Sequence, residues 1–187
     1  MKYCVFDDRT KDYLCCYYSI LDNMIQSMEG ADTNDSISHN FIVQMIPHHQ
    51  AAIEMSDSLL QYSAWLPLRR IAANIISSQT KGINDMCRIA ECCDKPSSCC
   101  DLTLYQRRLQ NITHTMFCEM DGIRSSNNIN VNFMRGMIPH HLGAIRMAEN
   151  ALHYGLCSEL IPILEAIIIS QRRSVQEMQR LLRLAGC

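Results

Sequence analysis

Along this chain apolar residues return every three to four positions, the period of an amphipathic helix and not the alternation of a strand. Tyr13, Tyr17, Ile20, Met24 and Met28 form one such stripe, and Gly30 stands where it stops. Ser36 or Ser38 can cap a second helix, in which Phe41, Met45, His48, His49, Ala52, Met55 and Leu59 share a face. A third helix is predicted from about Pro67, with Leu68, Ala72, Ile75, Gln79, Ile83 and Met86 on its apolar side. Pro47 falls inside the second pattern, which predicts a kink or the start of a new segment. In the kinked case the carbonyl of Val43 loses its donor and can accept a bond from a nearby His ring.

The same pattern then recurs. Residues 40–49, from Asn40 to His49, return as Asn132 to His141, an offset of 92, and the offset holds without a gap on either side. Tyr13, Met24, Met28 and Gly30 return as Tyr105, Met116, Met120 and Gly122; Ala52, Ile53, Met55 and Tyr62 return as Ala144, Ile145, Met147 and Tyr154. Gln79 and Met86 return as Gln171 and Met178, and Pro47 as Pro139, which places Arg135 where Val43 stands. Repeat one is read as 8–92, repeat two as 100–184, and 93–99 as the linker. Three helices in each copy predict an all-α, antiparallel helical bundle in which the second and third helices of both copies form a four-helix core. The whole chain, 1–187, is expected to make one domain.

Composition narrows the partners. At 187 residues, 48% hydrophobic and 19% charged, the chain can bury a sizeable core. Its formal net charge is -2, and the doublets Arg69-Arg70, Arg107-Arg108 and Arg172-Arg173 never merge into a basic tract, which argues against nucleic acid. Apolar runs such as Ala166 to Ile169 fall far short of the ~20 residues of a membrane span. Charges occupy the segment from Met1 to Asp12 where a signal peptide needs its apolar stretch, so a cytoplasmic location is expected. Self-association into a homo-oligomer stays open.

In that compartment the 11 cysteines, an odd number, are expected to be mostly reduced and not to form a disulfide framework. Cys87, Cys92, Cys93, Cys99 and Cys100 crowd around the linker, where an auxiliary thiolate site is conceivable although the spacing matches no standard zinc module. Cys4, Cys15, Cys16, Cys118, Cys157 and Cys187 read as small buried groups or surface thiols.

The repeat also sorts the chemistry. Ten of the eleven methionines after Met1 pair across it, as do four of the seven histidines, whereas ordinary apolar positions have drifted, as in Leu21/Thr113 and Ala72/Leu164. Met exchanges readily with Leu or Ile in a core, so its retention points to the thioether itself. Burying two adjacent imidazoles without partners is costly, and metal coordination would satisfy one nitrogen of each. Thioether with neutral imidazole suits Cu(I), whereas a di-iron site needs Glu-x-x-His pairs that this chain lacks. Gln79 and Gln171, on inward faces, are candidates to orient the His rings; Tyr13 and Tyr105 read as packing residues.

The run Phe-x-x-x-Met-Ile-Pro-His-His-x-x-Ala-Ile-x-Met, followed by Gln-x-x-x-x-x-x-Met, resembles the family catalogued as domain of unknown function 305, over about residues 40 to 183. The resemblance implies a ferritin-like helical bundle, and some members are associated with copper binding or resistance through Met and His. Carried over position by position, it implies Met45, His48, His49 and Met55, then Met137, His140, His141 and Met147, as metal ligands, with Met86 and Met178 as additions. Members are commonly exported, whereas this sequence shows no export signal. The reading is therefore a metal-binding protein that sequesters Cu(I) in the bundle interior, more a binding protein than an enzyme. The alternatives are an enzyme using the paired histidines or a redox metal on a small molecule, for which a cavity beside the rings is required, and an interaction module with exposed methionines.

Overall fold

The computed structural model describes residues 6–186. Residues 1–5, which carry part of the N-terminal charge pattern and Cys4, and Cys187 lie outside the described residues. The described residues form six α-helices: α1 (Asp8–Glu29), α2 (Ile37–Tyr62), α3 (Leu66–Ile89), α4 (Cys99–Asp121), α5 (Ile129–Ala151) and α6 (Ile161–Leu184). A short 3-10 turn, Ala90–Cys93, follows α3, and no strand occurs among the described residues.

Local chemistry sets the helix starts. The side chains of Asp7, Ser36, Ser98 and Asn128 each accept from a backbone N–H in the first turn of α1, α2, α4 and α5, satisfying a donor the helix itself cannot. Pro67 and Pro162 open α3 and α6, where a missing N–H does no harm. Asn40 and Asn132 then hold the loops ahead of their helices. The Asn40 carboxamide accepts from Asn34 N at 2.7 Å and donates to Asn34 O at 2.9 Å, and Asn132 does the same with Ser126 at 2.9 and 2.7 Å.

Helix α2 packs on α1 and α3, and α5 packs on α4 and α6. Contacts between the halves run from α2 to α5, from α3 to α6 and from α1 to α4. The inward stripes meet in one continuous core that includes Tyr13, Phe41, Met45, Met55, Met86, Tyr105, Phe133, Met137, Met147 and Met178. Ile83 is only half-buried. Tyr13 and Tyr105 pack edge-on against Tyr62 and Tyr154, at centroid separations of 5.6 and 5.8 Å.

One expectation is corrected here. Pro47 and Pro139 start no new segment: α2 and α5 run through them as single helices. The described thiols are mostly free, as expected, but Cys93 and Cys157 form a disulfide across 64 residues of sequence, which removes Cys93 from the linker cluster and Cys157 from the free thiols. That link ties the turn after α3 to the loop before α6, beside a bond from the Ser36 hydroxyl to Cys93 O and one from Cys157 N–H to the Ser38 hydroxyl. Cys15, Cys16, Cys87, Cys92, Cys99, Cys100 and Cys118 are free and exposed. Among the described residues no helix is long and apolar enough to cross a membrane.

Candidate functional site

The two His pairs lie in α2 and α5, the central helices that pack against each other. Each pair is followed by small buried residues, Ala51 and Ala52 in α2 and Gly143 and Ala144 in α5, so little side-chain bulk separates the two backbones. That proximity permits a reciprocal exchange. His48 Nε2 lies 3.2 Å from the carbonyl oxygen of His140, and His140 Nε2 lies 3.1 Å from that of His48. The two rings stack with centroids 3.7 Å apart and planes inclined by 33°. The ring bonds therefore go to the facing helix, and not to the carbonyls of Val43 and Arg135 that the prolines leave without donors.

A carbonyl only accepts, so both Nε2 atoms must carry their hydrogen, and in a neutral ring Nδ1 is then a bare lone pair. Nδ1 of His48, His49, His140 and His141 is in every case buried and without a hydrogen-bond partner. The neutral state is enforced by the surroundings. Burial pushes His49 down to about 3 and His140 to about 4. Burial, reinforced by the neighbouring imidazoles, holds His48 and His141 well below the ordinary histidine value. His49 and His141 flank the stack, at 6.1 and 5.7 Å from the rings of His48 and His140.

The thioethers of the motif share this burial. Met45, Met55, Met86, Met137, Met147 and Met178 are each at most 2% exposed, which removes the reading that needs methionines on the surface. Met116, which sequence reasoning left out of the ligand set, reaches the turn after His141: a methyl group at Gly143 would lie 2.1 Å from its sulfur. The pairing of Met116 with Met24 was the available signal. Among the described residues no group of three or more His, Cys, Asp or Glu is placed to hold a metal ion.

Gln79 and Gln171 are buried, and the Gln79 Oε1 and both polar atoms of Gln171 lack partners; bonds from these amides to the His rings do not form. Together with His49 they line a cavity of about 470 Å³ between α3 and α6. Its floor is opened by Gly82, where a methyl group would lie 2.9 Å from His49 Cδ2 and Nε2. Ser174 occupies the matching position in the second half, and His49 is the one of the four histidines that lines this cavity. Outside the centre, His39 Nε2 bonds to Asp32 O at 2.8 Å, His114 faces the Cys118 thiol at 3.7 Å, and His153 is exposed.

Comparison with known proteins gives a family and a fold. The family model described as "Domain of unknown function (DUF305)" matches residues 38–182. A crystal structure of a DUF305 fragment from Deinococcus radiodurans superposes with a TM-score of 0.57 at 21% identity, covering 78% of this chain and 95% of that one. No curated protein matches the sequence.

Proposed function

The chain belongs to the DUF305 family, and from that premise we propose that it is a Cu(I)-binding protein whose ligands are the buried thioethers and imidazoles of the repeated motif. The observation that carries the reading is the set of four buried, neutral imidazoles, each with an unpartnered Nδ1. In His48 and His140 the facing carbonyl fixes the tautomer, so that the free atom is the one with the lone pair. An orphaned acceptor in a low-dielectric interior is expensive unless something fills it. Soft, monovalent Cu(I) fits a neutral donor set of imidazole and thioether, because it brings only one charge into the core and needs no carboxylate to balance it.

In this reading His48, His49, His140 and His141 supply nitrogen, and Met45, Met55, Met137 and Met147 supply sulfur, with Met86 and Met178 in reserve. The fold then takes the form of a ferritin-like bundle: two tandem three-helix repeats whose α2, α3, α5 and α6 make an antiparallel four-helix core around the ion. The protein's role is sequestration, since the buried donors leave no room for turnover at the stacked pair.

Anaerobic titration against a chromogenic Cu(I) chelator tests this. The metal-free protein should withdraw Cu(I) from the chelator, and Met45→Leu with Met137→Leu, which keeps core volume but removes two sulfurs, should lower affinity at least about tenfold, roughly 1.4 kcal/mol. Failure to compete, or an unchanged affinity in that variant, overturns the proposal. The cavity beside His49 favours a second reading, chemistry on a small molecule at that imidazole, for which Gly82→Ser should abolish the activity by closing the cavity against the His49 ring.

A further inference from the structure

A second cavity, also about 470 Å³, opens on the opposite flank of the molecule, among α4, the end of α1 and the start of α2. Its wall mixes Met28, Leu109 and Phe117 with Gln44, Thr113 and His114. The sequence repeat provides an internal control for this space. Shifted by 92 residues, Met28, Gln44 and Leu109 correspond to Met120, Gly136 and Tyr17.

In that matching place the space is filled. The buried ring of Tyr17 lies where a methyl group at Gly136 would come within 2.6 Å of its Cε2 and hydroxyl, and the hydroxyl donates to Met120 O at 3.0 Å. Met120 is in the last turn of α4, so its carbonyl has no partner within the helix, and the phenol supplies one. At the cavity Leu109, from the second repeat, stands where Tyr17 of the first stands in the matching place. The carbonyl of Met28, in the last turn of α1, is left in the equivalent position beside the cavity. Gln44 replaces the glycine, and its buried Oε1 has no hydrogen-bond partner.

We propose that this cavity binds a small free phenol: an uncharged aromatic ring whose hydroxyl donates to Met28 O, as Tyr17 does to Met120 O. The molecule thus carries the ligand's likeness in its other half. The apolar wall takes the ring face, and the carbonyl selects a hydroxyl over a plain hydrocarbon. Volume alone would admit many compounds, but the equivalent site shows which chemistry satisfies the same framework. The site is on the other side of the helices from the histidine cavity and shares no lining residue with it, so it stands whether or not copper binds.

The test uses p-cresol, the side-chain analogue of tyrosine, and toluene as its hydroxyl-free counterpart, on the full metal-free chain by calorimetry and by NMR shift mapping. We expect p-cresol to bind with Kd on the order of 1 mM or below and to perturb Leu109 and Phe117, with toluene several-fold weaker. The double variant Leu109→Tyr with Gln44→Gly copies the filling of the other half; it should fold, and it should lose p-cresol binding. Absence of saturable p-cresol binding overturns the proposal, as does binding retained in a folded double variant, or toluene binding equal to that of p-cresol.

Discussion

Acidification should unfold this protein earlier and more steeply than its modest charge suggests. Four imidazoles are buried in neutral form, with His140 pushed down to about 4, His49 to about 3, and His48 and His141 well below the ordinary value of 6.5. In the unfolded chain each titrates near 6.5. Between that value and its folded value the unfolded state binds a proton that the folded state refuses, so stability falls as pH falls through this window. At pH 5 each ring contributes a loss of about 2 kcal/mol, and the four together about 8 kcal/mol, against well under 1 kcal/mol in total at pH 7. The slope there approaches four protons, about 5 kcal/mol per pH unit.

A loss of that size is comparable to the whole stability of an ordinary domain, about 5–15 kcal/mol. The lowered carboxyls of Asp8, Asp85 and Glu159 act only further down the scale, so the window from pH 6.5 to 5 belongs to the histidines. Urea unfolding of the metal-free protein by circular dichroism, at pH 7.5, 6.5, 5.5 and 5.0, measures the loss directly. His49→Gln with His141→Gln should halve the slope whatever it does to stability at pH 7.5. A decline below about 2 kcal/mol across this range, or an NMR titration placing any of the four rings near 6.5, would refute the account.

Other perturbations should read out the packing. Gly136→Ala sets a methyl group against the Tyr17 ring, which cannot fold away, and should cost about 1–3 kcal/mol by urea unfolding; most of it should return in Gly136→Ala with Tyr17→Leu. Tyr17→Phe removes the bond to Met120 O at nearly constant volume, and about 1 kcal/mol should be lost, measured in the same way. Cys93→Ser with Cys157→Ser opens a loop of 64 residues and should lower stability by up to about 4 kcal/mol, with no further effect of reductant on the variant. Under the copper reading, one equivalent of Cu(I) should move the acid transition to lower pH, and a coincident transition with and without the ion would count against it.

The helices were legible because each presents one apolar stripe to a shared core, and a period of 3.6 survives any arrangement of neighbours. That is why the inward faces of α2 and α5, with Met45, His48, His49, Met55 and their partners at the offset of 92, could be named and are all buried. How α2 meets α5 could not be read the same way. The stack of His48 on His140 and the exchange of bonds with each other's carbonyls depend on the approach of two helices far apart in sequence, which periodicity does not encode. The possible acceptor that the prolines suggested lies on each ring's own helix, whereas the His48 and His140 rings bond across to the facing one. The disulfide escaped notice similarly, since neither Cys93 nor Cys157 has a counterpart at the matching position.

Repeated and unrepeated residues therefore answer different questions. Positions that match across the offset serve needs common to both halves: Asn40 and Asn132 fasten loops, Tyr13 and Tyr105 pack on Tyr62 and Tyr154, and the histidines meet on the line between the halves. Positions that differ break that symmetry in physically definite ways. Gly82 against Ser174 opens a way to His49, and Leu109 with Gln44 against Tyr17 with Gly136 empties a space the other half fills. A site built only from matched residues would have to serve both halves alike, whereas each cavity here is bounded by a mismatch. Restoring the match, by Gly82→Ser or by Leu109→Tyr with Gln44→Gly, should thus remove one cavity at a time; Gly82→Ser also crowds the His49 ring, whereas the second pair of changes leaves the imidazoles in place.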